Sequence, residues 1–329
     1  MRRHAHALDL QRDGIADLRA FALLCGQRVV NLVAVGEGAD LPVRLWDQGQ
    51  PFASAATVPD VPTINALRRV RRKADTTGVS MLLHLSTWTE IEQYLKRSRA
   101  IVVPIGSNEQ HGPTGLLGTD WLCPEIIARE AEKSADILVA PTFNIGMAQH
   151  HLGFPGTISL RPSTFIAAIG DWIRSLAAHG FEKILFLNGH GGNIASIEAA
   201  FSEVYVEASF AKRRAGFAMK LANWWDLEGV GELARKQFPE GHGVHATPSE
   251  IAITQWAFPD AIKSADYSPK IAPSGPIREA LDFRARYPDG RMGSDPAQAS
   301  PEKGGELVRL AASSLVRELN AFASEPLPG

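Results

Sequence analysis

Glu109, His111 and Asp120 fall close together in the chain, in Gly106-Ser107-Asn108-Glu109-Gln110-His111-Gly112-Pro113 and its continuation Gly118-Thr119-Asp120. A carboxylate, an imidazole and a second carboxylate suit Zn, Mn or Fe(II) rather than Ca or Cu(I). A divalent ion held this way can acidify a bound water or polarise a carbonyl. Glu109 and His111 are two apart, which on extended backbone points them to the same side. Asp120 returns after a Gly- and Pro-rich loop able to fold over a small ion.

The elements that must position these groups alternate between strand and helix. Ile101-Val102-Val103-Pro104-Ile105 reads as a buried strand leading into the motif, and a helix is expected from Trp121 to about Lys133. Ahead of it, Thr87-Trp88-Thr89-Glu90 has the pattern of a capping box. Further strands are expected at Ile137 to Ala140, Lys183 to Leu187 and Phe217 to Ala222. Helices are expected after Ser163 as a cap, from Ile194 to roughly Ala211, through Ile251 to Trp256, and from about Lys303 to Phe322. The alternation gives an α/β class with a mostly parallel sheet, whose ligands bind at the carboxyl ends of the strands.

The chain holds ten histidines. His111, His150, His151, His190, His242 and His245 sit in Gly/Pro-rich loops that follow expected strands or precede expected helices. One histidine alone is usually a hydrogen-bonded structural residue, as expected for His84 and His179. Six in four loops at one sheet edge point instead to a metal centre. His190 lies in Asn188-Gly189-His190-Gly191-Gly192-Asn193 at a strand end, where glycines allow close backbone approach. A phosphate loop would need the Lys and Ser/Thr that this stretch lacks. Glu250, five residues after His245, would by itself be an ordinary helix-start carboxylate. Beside the other loops it becomes a ligand or proton carrier.

Composition removes several classes of function. A net charge of -2 gives no electrostatic case for nucleic acid or a membrane surface. Two cysteines, Cys25 and Cys123, exclude a disulfide framework and favour a reducing compartment, hence the cytoplasm. No apolar run reaches the ~20 residues of a membrane helix, and Met1-Arg2-Arg3-His4 does not open a signal peptide. Residues 1–80 differ from the rest, with eleven Lys and Arg against eight Asp and Glu and no complete supersecondary unit. They are expected to be a poorly ordered or non-native N-terminal extension, with Met81 as the natural start and 81–329 as the functional domain.

Glu109-x-His111 with Asp120, then Asn188-Gly189-His190-Gly191-Gly192-Asn193, then His245-Ala246-x-x-x-Glu250, together resemble the creatininase (creatinine amidohydrolase) family. Phe154-Pro155-Gly156-Thr157 after His151 also fits, and the likeness runs in order from about Leu82 to Ala323. The resemblance implies a layered αβα sandwich, a homo-oligomer that is commonly a hexamer, and two divalent ions, zinc first with manganese or iron as alternatives. It further implies hydrolysis of a non-peptide C–N amide in a small cyclic or formyl substrate, through a metal-bridging hydroxide. Carried over by position, Glu109, His111, Asp120 and His190 are metal ligands, with Asp120 as the bridge. Creatininases proper have a glutamate where this chain has Gly192, and Glu250 is the residue expected to replace it. The family's usual His-Leu-Pro is Thr114-Gly115-Leu116 here, a second departure that bears on the pocket. His245 or Glu250 would protonate the leaving nitrogen, His151 would act as a substrate or shuttle group, and Gln110 and Asn193 would pin the loops. The rival expectations are a formamide hydrolase or peptide-maturation enzyme of a cofactor pathway, and a metal-binding member without catalysis.

Overall fold

The computed structural model describes residues 81–327 throughout and, before them, four strands of backbone: β1 (Phe21–Cys25), β2 (Arg28–Ala34), β3 (Val43–Asp47) and β4 (Gln50–Pro51). Two compact units, Met1–Lys73 and Ala74–Gly329, divide the chain. In the first, the four strands pair in sequence order, all antiparallel, with Phe21 opposite Leu32 and Asn31 opposite Trp46. This meander is a supersecondary unit that short strands and interrupting turn residues hide from any periodicity. Disorder of the extension and a start at Met81 otherwise concern residues outside the described ones.

The second unit begins with α1 (Trp88–Leu95), entered through the expected capping box: the Thr87 amide donates to Glu90 at 2.6 Å while Thr87 Oγ1 accepts from the Glu90 amide. Next come β5 (Ala100–Ile105), α2 (Thr119–Glu132), α3 (Pro162–Ala178), β6 (Lys183–Asn188), α4 (Ile194–Phe210) and β7 (Ala218–Asn223). After them follow α5 (Val230–Gln237), α6 (Pro248–Ala257), α7 (Ala280–Arg286) and α8 (Pro301–Ser324). β5, β6 and β7 form a parallel sheet in that order, with Ala100 opposite Lys183 and Lys183 opposite Ala218.

The strand residues divide by alternation. Ile101, Val103, Ile105, Ile184 and Phe186 pack with Tyr94 of α1 and with α3 and α4, whereas Val102, Leu185 and Leu187 pack with α2, α5, α6 and α8. A sheet buried on both faces is the reason β5 and β6 read as unbroken apolar runs. The expected αβα layering is therefore present.

Three local expectations are corrected. Ile137 to Ala140 is buried but is not a full strand. Val139 bridges Leu82 and Val102, Pro141 supplies no amide, and pairing returns only at Ile105 with Phe143. The helix after the motif starts at Thr119, so Asp120 is in its first turn and not ahead of it. Ser163 does not cap α3; Arg161 holds that place without a side-chain bond, because Pro162 at the first helical position already fixes the entry. No helix among the described residues is long and apolar enough to cross a membrane.

Candidate metal centre

The backbone leaving β5 folds back on itself at the carboxyl edge of the sheet. The Glu109 amide donates to the Leu117 carbonyl at 2.8 Å and His111 bridges Gly115. Glu109, His111 and Asp120 are thereby buried together, at 0%, 0% and 3% exposure. β6 delivers His190 from the neighbouring strand, and α6 delivers Glu250 from its first turn, held by a second capping box with Thr247.

The histidine tautomers follow from what each ring must donate to. His111 Nδ1 lies 3.0 Å from the Glu109 carbonyl, which can only accept, so in a neutral ring Nε2 is a lone pair. That lone pair stands 2.8 Å from Asp120 Oδ1. His190 repeats the arrangement: Nε2 donates to the Met147 carbonyl at 3.0 Å, leaving Nδ1 2.9 Å from Asp120 Oδ2. Two acceptors facing each other need a cation or a proton between them.

Asp120 thus turns one oxygen to each histidine. His111, Asp120 and Glu250 offer ligand atoms within 4.8 Å of one another, and so do Glu109, Asp120 and His190. Both oxygens of Glu109 and Oδ2 of Asp120 are buried without a hydrogen bond. Imidazole nitrogens approach Glu109 at 3.1 Å (His151) and 3.3 Å (His190), but at ion-pair distance only. Buried carboxylates without hydrogen bonds are costly unless a cation compensates them. The donor set and its unsatisfied atoms therefore fit one or more divalent ions, with ligand separations compatible with ~2.0–2.2 Å coordination.

Ionisation of the metal-free cluster reflects the same need. Burial opposes charge on His111, but Asp120, Glu250 and Glu109 prevail and raise its pKa to about 10. Burial likewise opposes charge on His190, and Glu109 and Asp120 raise it to about 9. Against its own burial, Asp120 is held well below the usual carboxylate range by His111 and His190. Burial lifts Glu250 to about 7, Asp120 adding to the effect and His111 opposing it. Burial, then His151 and His111, push His245 well below the usual imidazole value.

Gln110 and the glycines set these positions. His245 Nε2 lies 2.7 Å from the Gln110 carbonyl and donates to it, so its Nδ1 lone pair faces the cluster, 3.6 Å from Glu109 Oε1. The Gln110 side-chain amide then donates to His151 Nδ1 at 2.9 Å and to the Gly290 carbonyl at 2.9 Å. Asn193 ties two loops, donating to the Gly106 carbonyl at 3.0 Å and accepting from the Met147 amide at 3.0 Å. At Gly189 a Cβ would lie 1.9 Å from the Asp120 carbonyl, so only glycine lets the end of β6 touch the start of α2. At Gly192 a Cβ would lie 2.4 Å from His190 Nε2. Any side chain there displaces His190 as it is now placed. Gly192→Ala is accordingly expected to weaken Mn²⁺ binding about tenfold or more while the circular dichroism spectrum is unchanged, as a calorimetric titration would read.

A cavity of about 620 Å³ opens above the cluster. Glu109, Asp120, His151, His190, His245 and Glu250 all line it, and His111 is buried beneath. Sequence reasoning did not single out Trp224, Trp225, Arg278 or Phe283, which also line it, and assigned His150 and His242 no role. The Trp-Trp pair directly after β7 carried a signal in its place at the same sheet edge. Phe283 and Arg278, in a loop-rich stretch, carried none. Thr114-Gly115-Leu116 does not line the cavity; Thr114 hydrogen-bonds Tyr267 instead. His84 and His179 are exposed and are not among the described residues that line the cavity.

Comparison with known proteins places the chain in a family. Residues 84–319 match the creatininase family model, described as creatinine amidohydrolase. Creatinine amidohydrolase of Pseudomonas putida is 26% identical over 239 residues, 68% of this chain and 89% of that protein. Mycofactocin precursor peptide peptidase of Mycolicibacterium smegmatis is 37% identical over 106 residues, 30% of this chain and 42% of that protein. A crystal structure of creatinine amidohydrolase shares the fold, with TM-score 0.67 and 24% identity over 76% of this chain and 100% of its own. Similar structures include a creatininase described with Mn and a mutant described as Zn-Zn type. The chain belongs to the creatininase family and is an amidohydrolase acting on C–N bonds.

Proposed function

We propose that this chain hydrolyses a non-peptide C–N amide with two divalent ions, zinc by preference and manganese or iron as substitutes. The observation that supports it best is Asp120, whose two oxygens face His111 and His190 separately. Asp120 would be shared, with His111 and Glu250 holding one ion and Glu109 and His190 the other. Glu250 would take the place that Gly192 leaves without a side chain. When bound, such ions lower the pKa of water and polarise a substrate carbonyl.

The chain's own residues supply the proton transfers. His245, kept neutral by burial and by His151 and His111, offers Nδ1 to accept the proton of the attacking water. The same nitrogen then hands that proton to the departing amide nitrogen, which leaves as an amine. His151, buried and fixed by Gln110, orients the substrate from the Glu109 side. His245→Ala is expected to lower kcat about 10²–10⁴-fold with bound metal unchanged, measured on a panel of cyclic amides and formamides. Full activity in that variant would contradict the role.

A second reading, cleavage of a precursor peptide as a maturation enzyme, is favoured by the higher identity of the peptide peptidase over its shorter match. A homo-oligomer in the cytoplasm accords with family membership and with the free, buried Cys123.

A further inference from the structure

The cavity is larger than a lone cyclic amide or formyl group needs. Its volume of about 620 Å³ falls within the roughly 300–1,000 Å³ of sites for drug-sized ligands. Its floor is polar, whereas Trp225, Val244, Ile277 and Phe283 give it apolar walls. Among the described residues that line it, Arg278 is the one Arg or Lys.

Arg278 is poorly paired. Its guanidinium lies 3.9 Å from Asp282 Oδ1, makes no hydrogen bond among the described residues, and is 63% exposed. Asp282 is already engaged by Arg286, whose Nε donates at 2.9 Å to both of its oxygens. Next to Arg278, Ile277 stays 49% exposed. A weakly paired planar donor beside an apolar wall matches a carboxylate attached to an apolar body. A single guanidinium suits a monoanion better than a phosphate, which usually recruits several donors.

We propose that Arg278 is a specificity-determining residue that binds a carboxylate on the substrate, so that the substrate is an amide with an apolar body and an acidic end. This rests on the amidohydrolase reading above. In the reaction, water adds hydroxyl to the acyl carbon and hydrogen to the nitrogen, and the carboxylate takes no part.

The test uses N-formylphenylalanine and its uncharged counterpart N-formylphenylalaninamide on the metal-loaded protein, reading affinity by calorimetry and turnover by formate release. Arg278→Met is expected to weaken binding of the carboxylate about tenfold, raising KM with kcat little changed, and to leave the uncharged probe unaffected. Arg278→Lys should restore part of the loss, and added salt should raise KM for the carboxylate alone. Equal affinity of the two probes for the native protein, binding of neither, or equal effects of Arg278→Met on both would overturn the proposal. Carboxylate-selective binding lost in Arg278→Met, but without formate release, would keep the subsite and count against the hydrolytic reading. Formate release without selectivity would do the reverse.

Discussion

Asp120→Asn is expected to abolish amide hydrolysis and tight binding of divalent ions together. Among the described residues, Asp120 is the side chain that faces the lone pairs of both His111, from Oδ1, and His190, from Oδ2. Asparagine removes the charge and turns one of those acceptors into a donor, so at least one histidine meets an N–H where it needs an oxygen. Changes to residues merely supporting metal ligands cost about 10–100-fold in metal affinity. Loss of a shared ligand's charge should therefore exceed a hundredfold. Elemental analysis and calorimetric titration of the variant, with circular dichroism to show that it folds, would check this. Retained metal and retained turnover would refute the role of Asp120.

The stabilisation that metal confers should grow as pH rises from 6 to 9. In the metal-free protein, protons on His111 and His190 balance the buried carboxylates, with pKa values of about 10 and about 9. Histidines raised in this way contribute stability that is complete below their unfolded value near ~6.5 and is lost as pH rises through 9 to 10. Glu250, raised to about 7, acts in the same direction: protonation favours the fold at low pH, and that stability is lost as pH passes 7. Metal replaces the protons and removes these losses. Each displaced proton makes metal affinity up to about tenfold stronger per pH unit, so two give up to about a hundredfold. His150, lowered to about 4 by burial and His151, and His245 cost stability only on the acid side, as pH falls below ~6.5. Melting temperatures of Mn²⁺-loaded and chelated protein across this range would give the result. A gap that stays constant with pH would contradict it.

The sequence carried the metal half-site because its ligands lie close together and their loop chemistry is distinctive. His190 was readable for a similar reason: a glycine-flanked histidine at the end of a buried apolar run has little structural purpose alone. Glu250 could be proposed but not placed, since its 4.0 Å approach to His111 depends on how α6 packs against the sheet. Other features depended on distant contacts that leave no local pattern. Arg291 is fully buried, paired with Asp289 and bonded to the carbonyls of Pro269, Lys270 and Ser294, within a stretch that reads only as loop. That loop brings Gly290 to Gln110, and so takes part in orienting His151 and His245. The break at Pro141 and the cap at Arg161 show the same limit at the scale of single residues. Proline chemistry there outweighed the apolar run and the serine.

Anomalous diffraction from crystals of the Mn²⁺-loaded protein tests the metal centre most directly. Two peaks are expected, one enclosed by His111, Asp120 and Glu250 and the other by Glu109, Asp120 and His190, with Asp120 common to both. Absence of anomalous density at this cluster in fully active protein, or density only at other sites, would contradict it.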